Sequence, residues 1–188
     1  MDRGTKSSGI VHAAFVAGAT GKWKVERMEA IRGPPLATAG RLQVSLGARL
    51  PWEHAAWILS GVTSHERYVT RVEHDRLVAV QPPLDRAEAT RAALIPIAKS
   101  AEWWELPQDE RRAIFEEDSH HIAIGLEYLP AIARRLYHCR DLAEPFDFLT
   151  WFEYPPADAA SFEQLVTRLR RTREWEYVER EIDIRLAR

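Results

Sequence analysis

The sequence predicts an α+β protein built on an antiparallel sheet, and three observations lead there. Short apolar segments of strand length recur along the 188 residues, bounded by turn-forming groups such as Ala17–Gly21, Gly33-Pro34-Pro35 and Gln81-Pro82-Pro83. From residue 92 onward the segments follow the order β-α-β-β-α-β. The clearest helix, Asp158–Arg171, carries Phe162, Leu165, Val166 and Leu169 at i, i+3, i+4 and i+7, an apolar stripe along one side. This is the ferredoxin-like arrangement: an antiparallel sheet, barrel-like, with helices on its outer face and a truncated N-terminal half.

The elements follow in order. Residues 1–9 are small and polar and read as a disordered tail. Ile10–Val16 is a first strand; His12 interrupts its apolar run, so a strand fits better than a signal sequence. Trp23–Ile31, Arg41–Leu46 and Ala55–Val62 are further strands. Ser64–Val80 is ambiguous, a helical stretch leading into a short strand at Leu77–Val80. The Pro pair after Gln81 then separates a reduced N-terminal half, 10–83, from a C-terminal one, 84–188. Ala92–Ala98 contains Pro96, which predicts an edge strand or a bulge. A helix starts at Leu106-Pro107 with acidic residues in its first turn. Asp118-Ser119 looks like a cap for a second helix, His120–Leu129, ended by Pro130. Arg134–Cys139 and Phe146–Tyr154 are strands, and Tyr177–Leu186 is the last.

Composition narrows the function. With 26 Lys and Arg against 28 Asp and Glu, the charge of -2 gives no pull on a phosphate backbone, so general nucleic-acid binding is not expected. No apolar run reaches the ~18 residues of a membrane span. The single cysteine, Cys139, forms no internal disulfide and builds no Cys-rich metal site. Seven Trp are about three times the usual share. Core and interface explain them first, a pocket for a large flat ligand second.

Three features bear on chemistry. His120 and His121 are adjacent, and on a helix their side chains point about 100° apart, so only one can serve a given metal; a partly buried structural histidine is the commoner outcome. Lys99 precedes Trp103-Trp104, a cation beside two indoles that suits an anionic group on a flat aromatic body, or else a core anchor with a surface lysine. Arg134-Arg135 opens an apolar strand, where an inward arginine would meet an anion and an outward one is ordinary surface charge. Nucleotide-binding and acyl-transfer motifs are absent from the sequence.

The run Ser119-His-His-Ile-Ala, then Tyr128-Leu-Pro-Ala-Ile-Ala-Arg134-Arg-Leu-Tyr-His-Cys139, then Glu144-Pro-Phe-Asp-Phe-Leu-Thr-Trp-Phe-Glu153, closely resembles the chlorite dismutases. The similarity continues through Glu174-Trp175 and Tyr177–Arg185 and back through Arg91–Trp104, covering most of residues 52–188. The length is similar to that of the short, typically dimeric branch of that family. The resemblance implies a heme b cofactor and the conversion of chlorite to chloride and O2. Ferric heme would take an oxygen atom from chlorite, and a hypochlorite or ClO fragment held by a distal arginine would rebound onto it.

By the same resemblance His121 is the proximal iron ligand and Glu174 accepts a hydrogen bond from its free nitrogen. Arg134 is the distal arginine, with Gln81 as its hydrogen-bond partner. Lys99, Trp103, Trp104 and Tyr68 surround the heme edge, Lys99 on a propionate, and Thr150 and Phe152 line the distal side. A coproheme decarboxylase is the nearest rival. Arg134 speaks against it, as does Ile95, which stands four residues before Lys99 where a reactive tyrosine would be expected. A non-catalytic heme carrier or sensor is the other alternative, and it has little use for a distal arginine. The expected partners are chlorite and a second copy of the chain, without nucleic acid or membrane. A cytoplasmic location is expected, with a periplasmic one as the alternative.

Overall fold

The computed structural model describes residues 10–47, 54–63 and 67–188; the expected tail over 1–9 lies outside them. The strands are β1 (His12–Gly18), β2 (Trp23–Arg32), β3 (Arg41–Leu46), β4 (Trp57–Val62), β5 (Arg91–Lys99), β6 (Ala133–His138), β7 (Phe148–Tyr154) and β8 (Val178–Ala187). The helices are α1 (Arg71–Val80), α2 (Ala101–Glu105), α3 (Gln108–Arg112), α4 (His121–Glu127) and α5 (Ala159–Leu169), with a π-helical turn at Ala113–Asp118 between α3 and α4. All strand pairs are antiparallel, and among the described residues the sheet closes into a barrel in the order β1-β3-β2-β8-β5-β7-β6-β4.

Period-2 alternation sorts each strand's side chains into two cores. Leu94 of β5, Leu149 and Trp151 of β7, and Ile182 and Ile184 of β8 point into the barrel. There they meet Phe15, Trp23 and Tyr137, with Phe15 edge-on to Tyr137 at 5.5 Å and Trp23 edge-on to Trp151 at 5.5 Å. The intervening residues Ala93, Ile95, Ile97, Phe152 and Tyr154 face outward. They are covered by the predicted stripe of α5, whose Phe162, Leu165, Val166 and Leu169 are all buried. This outer layer holds the site.

Two sequence expectations change. Leu77–Val80 is not a strand but the last turns of α1. A capping box starts that helix: Thr70 Oγ1 accepts from Glu73 N at 3.3 Å, and Glu73 Oε2 accepts from Thr70 N at 2.7 Å. The strand around Pro96 is not an edge but lies between β7 and β8. Pro96 pairs with Leu149, while the ladder to β8 passes through Leu94–Ile184 and resumes at Ile97–Glu181, so the missing N–H falls in the gap.

Helix α1 buries only Leu77 and is fastened by polar contacts. Glu73 accepts from Arg112 at 2.7 and 2.9 Å, and Arg112 also donates to the Tyr68 carbonyl. The Arg112 bonds hold the Glu73 carboxyl down to about 2, against the upward push of burial. Because that value lies below the ordinary 4.5, the contact contributes fully above about pH 4.5 and is lost as pH falls toward 2. Amide exchange of residues 71–80, corrected for intrinsic rates, is expected to accelerate across this window before the barrel opens, and Glu73→Gln is expected to remove the dependence. Protection of α1 that tracks the barrel strands at every pH would contradict it.

Candidate heme site

A cavity of about 410 Å³ lies between the outer face of the sheet and the helices, a size within the roughly 300–1,000 Å³ of small-molecule sites. Its sheet wall is Ile95 and Ile97 of β5, Arg134 of β6, and Thr150 and Phe152 of β7. Its helix wall includes His121 and Gly125 of α4, Leu165 and Leu169 of α5, and Trp175. The walls are mostly apolar because each strand contributes its outward residues and each helix its inward stripe.

One polar cluster is built into the helix wall. His121 Nδ1 lies 2.6 Å from Glu174 Oε2. Lys99 Nζ donates to Glu174 Oε1 at 2.8 Å and to the Glu174 carbonyl at 3.1 Å. Ser119 Oγ accepts from Glu174 N at 2.9 Å. Ser119 therefore does not cap the following helix, whose first residue is His121, with His120 as a left-handed N-cap. Burial by itself raises the Glu174 carboxyl, but His121 and Lys99 beside it outweigh that push and hold the group at about 2. Glu174 is thus a buried anion with both oxygens committed, and the imidazole has Nε2 left to offer a metal.

Lys99, expected on a propionate, gives two of its three ammonium donors to Glu174. It is buried, with Nζ 4.6 Å from the Trp103 ring centroid and 5.6 Å from that of Trp175. Trp103 lines the cavity, and its buried Nε1–H has no acceptor. Trp104 does not reach the cavity. Its Nε1 donates to Asp147 Oδ2 at 3.2 Å, the Arg140 guanidinium lies 3.9 Å from its ring centroid, and it stacks on Phe148. Tyr68 lines the cavity edge-on to Trp103 at 6.2 Å.

Arg134 lines the cavity from the sheet, in register with Phe152. Its guanidinium lies over Gly125, where a Cβ would come 3.6 Å from Nη1. Gln81 meets Arg134 at the main chain, Nε2 donating to the carbonyl at 2.6 Å. Two aromatic contacts went unread in the sequence. Phe115 stacks on His121 at 4.4 Å and 23°, and Trp175 lies nearly parallel to it at 6.3 Å. The Trp175 indole is anchored by the buried Glu181 carboxylate at 2.8 Å. Trp175 was signalled only by adjacency to Glu174, and nothing in the sequence signalled Phe115, whose place depends on the π-helical turn.

These residues fit a heme. One imidazole nitrogen is available, the walls are apolar, and the buried Trp103 N–H lacks the acceptor that a propionate carboxylate would provide. Among the described residues no cluster of three or more His, Cys, Asp or Glu stands ready to hold a bare ion. No helix among the described residues is long and apolar enough to cross a membrane.

Fold and site together define an antiparallel barrel carrying a histidine-lined cavity on its outer face. The profile of the chlorite dismutase family matches residues 47–188, and the chain belongs to that family. The dimeric chlorite dismutase of Nitrobacter winogradskyi superposes with a TM-score of 0.88 at 58% identity, over 94% of this chain and 99% of that one. The chlorite dismutase of Candidatus Nitrospira defluvii, solved with imidazole, gives a TM-score of 0.68 at 21% identity over 95% of this chain and 91% of that one, a likeness of fold. The chlorite dismutase of Ideonella dechloratans is 34% identical over 86 residues, which are 46% of this chain but 28% of that protein.

Proposed function

We propose that the protein is a heme b-dependent chlorite dismutase, converting chlorite to chloride and O2 as a homodimer. The observation that carries this reading is one cavity lined both by an imidazole held to a buried carboxylate and by an arginine from the sheet. Family membership and 58% identity to a dimeric chlorite dismutase support it. A heme held by His121 would supply an iron suited to oxygen-atom transfer with chlorite.

The chain's own groups do the rest. Glu174 takes the hydrogen bond of His121 Nδ1–H, which fixes the tautomer and makes Nε2 the stronger donor. Lys99 keeps that carboxylate ionised in a buried setting, and Trp103 Nε1–H is placed for a propionate. Arg134 is cationic at every working pH, so it draws chlorite in and retains the departing chlorine fragment. Ile95, Ile97 and Phe152 around it strengthen that attraction and offer little for an oxidant to attack. Gln81 holds the Arg134 main chain, and the guanidinium lies over Gly125. Ile95 places no phenol in the cavity, which weighs against a decarboxylase.

Arg134→Ala is expected to bind heme with an unchanged histidine-ligated spectrum and to lose about tenfold or more in kcat/KM for chlorite. Its O2 yield before inactivation, read on an oxygen electrode, is expected to fall as well. Wild-type turnover in this variant would remove Arg134 from the reaction. Heme-loaded wild-type protein that evolves no O2 from chlorite would overturn the activity and leave a carrier.

A further inference from the structure

We infer that Glu116 is a positioning residue for the His121 imidazole, acting through the first turn of α4; the inference rests on His121 being the axial ligand. Helix α4 has only seven residues, and its N-cap His120 sits at φ 53 with no side-chain cap. The first amides of a helix need acceptors from outside it. Ser119, the obvious candidate, is turned to Glu174 N instead. Glu116 fills the role: Oε2 accepts from Ile122 N at 2.6 Å and Oε1 from Ala123 N at 3.2 Å. One carboxylate thus grips the two residues that follow the ligand.

Glu116 lies in the π-helical turn Ala113–Asp118, and π turns inserted in helices gather at functional sites. The same turn presents Phe115, stacked on the His121 ring at 4.4 Å. Its last residue, Asp118, pairs with Arg173 at 2.6 Å, next to Glu174. One short segment therefore touches the ligand's helix, the ligand's ring and the residue beside its carboxylate partner. Glu116 fixes where the ring stands, while Phe115 and Glu174 fix how it is rotated.

The test uses the full chain loaded with heme and reads the iron–imidazole stretching band of the ferrous protein by resonance Raman, together with heme loss to an apomyoglobin acceptor. Glu116→Ala is expected to shift and broaden the band and to speed heme loss about tenfold. Glu116→Gln keeps an acceptor oxygen and is expected to restore most of the band. Glu116→Asp, one methylene too short to reach both amides, is expected to behave like Glu116→Ala and serves if the alanine variant does not fold. A wild-type band in variants whose melting temperature alone has dropped would make Glu116 a purely structural cap and overturn the inference. Heme-loaded wild type without any iron–imidazole band would instead overturn the ligand assignment itself.

Discussion

His121→Ala is expected to give a folded barrel that no longer retains heme. The barrel interior is filled by Phe15, Trp23, Trp151 and their neighbours, none of which touches position 121, so the sheet keeps its core. Glu174 keeps Lys99 at 2.8 Å, so its charge does not become an unpaired buried anion. What disappears is, among the described residues, the cavity-lining imidazole whose other nitrogen is held by a buried carboxylate. Removing partners of metal ligands typically costs roughly 10–100-fold in affinity, and loss of the ligand itself is expected to exceed that. Absorbance titration with hemin measures the loss, and added imidazole is expected to recover part of it by occupying the vacated space. His138 also lines the cavity, and burial, with Arg67 nearby, pushes its pKa down to about 4, so it is neutral and able to ligate. A His121→Ala protein that keeps tightly bound, histidine-ligated heme would move the ligand to His138 and undo the assignment of walls.

The parts legible in the sequence are those set by local periodicity. The α5 stripe is legible because i, i+3, i+4, i+7 spacing leaves one burial solution, and Phe162 through Leu169 occupy it. The β5, β7 and β8 segments are legible as apolar runs, but Pro96 misleads there, since a ladder gap in an interior strand cannot be told from an edge without the partner strand. Closure of the barrel depends on β2 pairing with β8 and β4 meeting β6 at Val62 and His138, contacts far apart in the chain that leave no local mark. In the site, residue types read well and partners read poorly. Lys99 beside two indoles signals a buried cation, yet whether it meets a propionate or Glu174 is decided by a strand and a turn 75 residues apart. Gln81 and Arg134 do meet, but through the main chain, which side-chain chemistry alone does not foretell.

Lys99→Met is expected to be the most destabilising single change near the site. Methionine keeps an unbranched apolar stem to pack on Trp103 and Trp175, so the loss reports on charge rather than volume. The Lys99 and Glu174 side chains are 3% and 7% exposed, and removing one partner of a buried pair costs up to about 3–5 kcal/mol, reduced here because His121 stays 2.6 Å from Glu174. Glu174 has one escape, protonation, and its carboxyl, held at about 2 in the intact cluster, is expected to move upward. The sign follows from linkage. In the wild type the cluster's contribution is complete above about pH 4.5 and fades as pH falls toward 2, so the gap between wild type and Lys99→Met in urea unfolding is expected to be widest near neutrality and to narrow in acid. Adding Glu174→Gln to Lys99→Met removes the charge that has lost Lys99, and the double variant is expected to be more stable than the sum of the single losses predicts. Strict additivity, with a gap that does not depend on pH, would mean that Lys99 and Glu174 are neighbours without being an ion pair, and that something else keeps the carboxylate beside His121 charged.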